Sequence, residues 1–64
     1  MWVVRLADCP FWLGLSEDGK RSHWVSSPDR AHRFETVDLA RAYARAALSA
    51  DIVVEHAESG RPAA

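Results

Sequence analysis

The run Ala31-His32-Arg33-Phe34-Glu35-Thr36-Val37-Asp38-Leu39-Ala40 does most to limit what this chain can fold into. It passes from one bulky aromatic to a threonine, and then into apolar residues at helical spacing. Thr36 suits the N-cap of a helix, since a hydroxyl there accepts from an orphan N–H of the first turn, and Asp38 puts negative charge at the positive end of the helix dipole. Beyond it, Val37, Ala40, Tyr43, Ala44, Ala47 and Leu48 gather on one broad side. Asp38, Arg41, Arg45 and Ser49 lie opposite, so a helix is predicted from residue 37 to about residue 50. Its many alanines allow a close approach to a sheet. Residues 31–34 are too few for more than a bridging segment, with Phe34 as its anchor.

Ahead of this run the chain reads as three strands. Residues 2–7 alternate, with Trp2, Val4 and Leu6 on one face and Val3 and Arg5 on the other. Asp8-Cys9-Pro10 interrupts them, because proline lacks the N–H a central strand needs. Residues 11–15 resume the alternation, with Phe11, Leu13 and Leu15 together and Trp12 facing away. The Asp18-Gly19 pair suits a hairpin turn through its readiness for positive φ, and a third strand surrounds Trp24 over residues 21–26. Ser27-Pro28-Asp29 is a turn signal. After the helix, the β-branched stretch Ile52–His56 reads as a last strand. The expected fold is α+β, a mainly antiparallel three- or four-stranded sheet with one helix packed on one face, in the order β-β-β-α-β. Residues 1–57 make a single domain, and residues 58–64, with Gly60 and Pro62, a flexible tail.

With 64 residues, folding hides only ~60% of the surface that the unfolded chain exposes. The core must therefore be rich in large side chains. Trp24 is expected in it, since burying an indole contributes substantially in so small a domain. The composition, 48% hydrophobic and 27% charged, is that of an ordinary globular protein. No apolar run approaches the ~18 residues of a membrane span, and Met1-Trp2-Val3-Val4-Arg5-Leu6 lacks the basic and long apolar regions of a secretory signal. A cytoplasmic protein with no membrane partner is the expectation. Cys9, the single cysteine, excludes an intramolecular disulfide. A net charge of −1 gives no whole-chain argument for nucleic-acid binding and none for an acidic mimic of it.

Cys9, His23, His32 and His56 are the available soft or imidazole ligands, and none stands in a C-x-x-C or H-x-x-x-H arrangement. No metal site and no cofactor is expected. Cys9 paired with a histidine would have no nameable orienting group or oxyanion donor. The acidic residues are scattered, and Gly14, Gly19 and Gly60 form no phosphate-cradling loop. The chain reads as non-enzymatic.

Surface character then carries the functional reading. One helix covers one side of a sheet, so the residues alternating away from it face water or a partner. With Trp2, Val4, Leu6, Phe11, Leu13, Leu15, Ile52 and Val54 inward, the outward set is Val3, Arg5, Trp12, His23, Val25, Val53 and Glu55. A slip of one residue would exchange the two sets. A tryptophan and three valines among charged groups match the anatomy of an interaction surface; the competing reading has Trp12 folded down over a solvated sheet. A second candidate surface is basic, with Arg30, Arg33, Arg41 and Arg45 able to touch phosphates, although Glu17, Asp18, Asp29, Glu35 and Asp38 lie in the same stretch.

The order of features, Phe11-Trp12-Leu13-Gly14, a glycine-containing turn, Trp24, and then Ala31-x-x-Phe34-x-Thr36-x-x-x-Ala40, resembles the small β-β-β-α-β proteins abundant in bacteriophages and prophages. The resemblance covers residues 2–56 and rests on structural positions. Departures are the Cys9-Pro10 break and the alanine-rich helix. It implies that Phe34 and Ala40 are packing residues. The resemblance implies a module of the kind that often acts by binding and disabling or redirecting a bacterial host protein, anti-CRISPR proteins being one class of similar size. The leading expectation is such a protein-binding inhibitor, using Val3, Arg5, Trp12, His23, Val25 and Glu55. The alternatives are a small nucleic-acid-binding or regulatory protein using Arg30, Arg33, Arg41 and Arg45, and a homodimer that closes the open sheet face.

Overall fold

A computed structural model of the chain describes residues 1–48 and 51–62. Four strands, β1 (Trp2–Leu6), β2 (Trp12–Leu15), β3 (Ser22–Val25) and β4 (Ile52–His56), form one antiparallel sheet in the order β3-β2-β1-β4. A 3-10 turn at Pro28–Arg30 and the helix α1 (Val37–Ala47) separate β3 from β4. The fold is the α+β order β-β-β-α-β, with four strands. Each of the first three strands is one or two residues shorter than its sequence pattern. The helix stops at Ala47 because Leu48 is already extended, with φ −121°. The expected continuation through Ser49 and Ala50 lies outside the described residues, as do Ala63 and Ala64.

Local chemistry accounts for the turns. The Thr36 hydroxyl accepts from the Leu39 N–H at 3.1 Å, which makes it the N-cap. In the β2–β3 hairpin Gly19 adopts φ +72°, a conformation that disfavours a side chain, and its N–H donates to the Ser16 carbonyl at 2.9 Å. Asp18 tightens this turn by accepting from the Ser16 hydroxyl and, at 3.0 Å, from the Lys20 N–H.

The bridging segment is a splint. β1 and β2 pair directly at Arg5 and Trp12. Farther along, Trp2 and Phe34 exchange backbone hydrogen bonds of 2.8 and 2.7 Å, while the His32 N–H donates to the Leu13 carbonyl at 2.9 Å. Residues 32–34 thus sit between the diverging strands, and Phe34 reaches the core. Val4, Leu13, Phe34, Ala40, Ala44 and Val54 form that core, flanked by Trp2, Val37, Tyr43, Leu48 and Ile52. The Phe34 and Tyr43 rings lie 5.7 Å apart, which ties the splint to the helix.

Two aromatic residues depart from expectation. Trp24, read as a core residue, is 38% exposed, and Phe11, assigned to the inward set, is 41% exposed. The helix explains both, because it packs on β1 and β4 and leaves β3 and the start of β2 outside its footprint. At the other end of the sheet, residues 58–62 of the expected tail turn back along β4. The Gly60 N–H donates to the His56 carbonyl, the His56 N–H donates to the Arg61 carbonyl at 2.8 Å, and Pro62 bridges Glu55.

Candidate functional site

Strand alternation places Val3, Arg5, Trp12, His23, Val25, Val53 and Glu55 on the face opposite α1, and the register groups them. Val25 pairs with Trp12, Trp12 with Arg5, and Arg5 with Val53, which makes one cross-strand row spanning all four strands. All of its members are half-buried. His23 is exposed, and its imidazole lies over Gly14: a Cβ on that glycine would come within 2.8 Å of His23 Nε2.

Val3 and Glu55 correct the expectation that this whole set faces outward. Val3 is 1% exposed and Glu55 is 7% exposed. Glu55 is held in a polar bridge over β1. Glu55 Oε2 accepts from Arg5 Nε at 2.8 Å, and Glu55 Oε1 accepts from Trp12 Nε1 at 3.2 Å. Glu55 stands on β4 and Trp12 on β2, with β1 between them, so carboxylate and indole meet above β1, where Val3 is Glu55's direct partner. Both carboxylate oxygens are satisfied, as a buried carboxylate requires, and Arg5 Nη1 also donates to the Leu6 carbonyl at 3.0 Å. Trp12 is thus neither a free anchor nor simply folded flat. Its indole N–H is fixed by a charged acceptor while its ring stays half-exposed in the row. Sequence reading missed this network. Its signal was present, since Arg5 and Glu55 share an alternation face, but it required knowing that β4 pairs with β1.

The four arginines are dispersed. Arg41 and Arg45 flank a depression of about 320 Å³ floored by Ala44, Leu48 and Ile52. Arg30 closes the 3-10 turn. Arg33 acts electrostatically on Glu58, whose carboxyl is held below its ordinary value, first by its own backbone N–H and then by the Met1 amino group, 3.6 Å away, and by Arg33. The histidines are likewise separated: the His56 ring stacks on Trp2 at 3.9 Å, and His32 meets Phe34 edge-on at 4.7 Å. Among the described residues no three His, Cys, Asp or Glu side chains converge on a metal-sized site, and no helix is long and apolar enough to cross a membrane.

Comparison of the chain with protein families, with curated proteins and with solved structures finds no match.

Proposed function

We propose that this chain is a non-enzymatic protein-binding module of phage or mobile-element type, and that it inhibits a bacterial defence complex by docking through the face opposite α1. One observation supports this reading above the others. The row Val25-Trp12-Arg5-Val53 presents an aromatic and a cation between two valines, and the Glu55 bridge holds two of its members in place. Tryptophan and arginine are the side chains that dominate interface energies. Fixing them before contact removes part of the ordering cost of association. The non-enzymatic part of the reading rests on the sequence, which offers no paired acid and base. The rival reading, nucleic-acid binding through Arg30, Arg33, Arg41 and Arg45, draws less support because, among the described residues, Arg41 and Arg45 line one depression that Arg30 and Arg33 do not join.

The test is protection of a phage in bacteria that carry a panel of defined CRISPR and restriction systems. Expression of the chain should restore plaque formation against at least one system. Val25→Lys and Val53→Lys, at half-buried positions of the row, should abolish that protection while circular dichroism shows a folded domain. Absence of protection across the panel, or equal protection by both variants, would refute the proposal.

A further inference from the structure

The sheet treats its two edges differently. Along β4, the returning segment covers the edge through the Arg61 carbonyl and the Pro62 bridge, and proline at an edge blocks further pairing. Along β3 nothing comparable is present among the described residues. The register, together with the bond from the Ser16 N–H to the Arg21 carbonyl at 2.9 Å, turns the backbone groups of Arg21, His23 and Val25 toward β2. Those of Ser22 and Trp24 therefore point out of the sheet. No charge and no proline interrupts residues 22–27, Trp24 stands exposed at their centre, and the chain beyond them turns inward to lie against β2. An exposed aromatic on a strand without charge or proline is what natural edges ordinarily avoid, and the shortness of β3 is the one protective feature it keeps.

We propose that β3 pairs antiparallel with the β3 of a second copy of this chain, which joins two sheets into one continuous eight-stranded sheet about a two-fold axis. An isologous contact requires a self-complementary strand, and β3 meets that requirement. Centred on Trp24, the pairing sets Trp24 against Trp24, Ser22 against Ser26 and His23 against Val25, with no like charges directly opposite. Lys20 and Arg21 precede the strand, and Asp29 and Arg30 follow it only after the chain has turned inward against β2, so no like charges fall within the paired stretch. Asp18, near that basic end, is already engaged within its own turn. The outward N–H and C=O groups of Ser22 and Trp24 gain partners, and the two indoles shield each other. A four-residue strand is only about 14 Å long, so the contact falls short of the ~800 Å² per partner of a stable complex. The dimer is correspondingly weak and forms as concentration rises.

Sedimentation equilibrium of the full chain, from the micromolar range to about 1 mM, where contacts this small associate, tests the assignment. The weight-average mass should rise from one chain toward two. Trp24→Lys, which puts like charges at the centre of the contact, should weaken association at least tenfold. Ser22→Pro, which removes an outward N–H and no ladder bond, should do the same. Val53→Lys, on β4 at the end of the Trp12 row farthest from β3, should associate like the original chain, which keeps this outcome distinct from failure of the proposed partner face. A mass that stays at one chain at 1 mM overturns the proposal, as does undiminished association of both folded edge variants.

Discussion

Replacing Glu55 with glutamine asks whether charge, rather than shape, holds the face opposite α1 together. The amide has almost the volume of the carboxylate and can still accept from one donor. Because Arg5 Nε and Trp12 Nε1 donate to different carboxylate oxygens, the amide can meet one of them with its oxygen but must turn its NH₂, a donor, toward the other. The side chains of Glu55 and Arg5 are 9% and 25% exposed, between the surface and interior limits. Surface pairs contribute about 0–1 kcal/mol and breaking a buried one costs about 3–5 kcal/mol, so the substitution should cost about 2 kcal/mol. In a domain of this size that corresponds to a fall in Tm of roughly 8–16 °C. Urea unfolding followed by tryptophan fluorescence provides the measurement, and Arg5→Met completes a double-mutant cycle. The coupling between the two positions should exceed about 1 kcal/mol, because Arg5 and Trp12 lose a shared acceptor. Additivity within about 0.5 kcal/mol, the behaviour of independent sites, would show that the bridge contributes no charge-specific stability and would refute the account of why Glu55 is buried.

The remaining predictions concern local devices. Thr36→Ala should cost about 1 kcal/mol through loss of the cap to the Leu39 N–H, read as a lower urea midpoint; an unchanged midpoint would remove the cap from the argument. Phe34→Ala should cost about 3–5 kcal/mol, enough to abolish a cooperative thermal transition, because Phe34 belongs both to the core and to the splint; a two-state melt near the original Tm would contradict that dual role. Gly14→Ala should displace the His23 ring rather than the backbone, since the close atom is the far end of an exposed side chain; His23→Ala should then remove whatever penalty is measured. The Asp18 carboxyl lies below its ordinary value of 3.8, held there first by the Ser16 hydroxyl and then by the Lys20 N–H. A folded value lowered in this way stabilises the turn above the unfolded value, and the stabilisation is lost as pH falls through the folded one. Asp18→Asn should therefore flatten the acid limb of stability below pH 3.8, and identical limbs would exclude this role.

What the sequence disclosed divides by the range of the interaction. Thr36 as a cap, Gly19 in its turn and the alternation along β1 and β4 are properties of adjacent residues, and pattern reading reaches them. Phe34 was legible as an anchor but not as a splint, because its pairing with Trp2 closes a loop of over thirty residues that no local pattern encodes. Trp24 was misjudged for a related reason. Its volume argued for burial, whereas its exposure follows from where the helix lands, over β1 and β4. For the candidate face, alternation named every residue, but it left Val3 and Glu55 open to water or a partner. Their burial depends on the β1–β4 register that sets Val3 beside Glu55.

That register also constrains how the face can act. A partner docking on the Val25-Trp12-Arg5-Val53 row would remove water from Arg5, whose side chain is the more exposed member of the ion pair. Desolvation strengthens the attraction between Arg5 and Glu55, but it also costs Arg5 its hydration, and the balance favours binding only if the partner supplies an acceptor for the guanidinium donors that Glu55 and Leu6 leave unused. The surface recognised through this row should therefore combine an apolar area facing Val25, Trp12 and Val53 with a carboxylate or carbonyl opposite Arg5. A purely apolar surface would leave that cation with unmet donors and bind poorly.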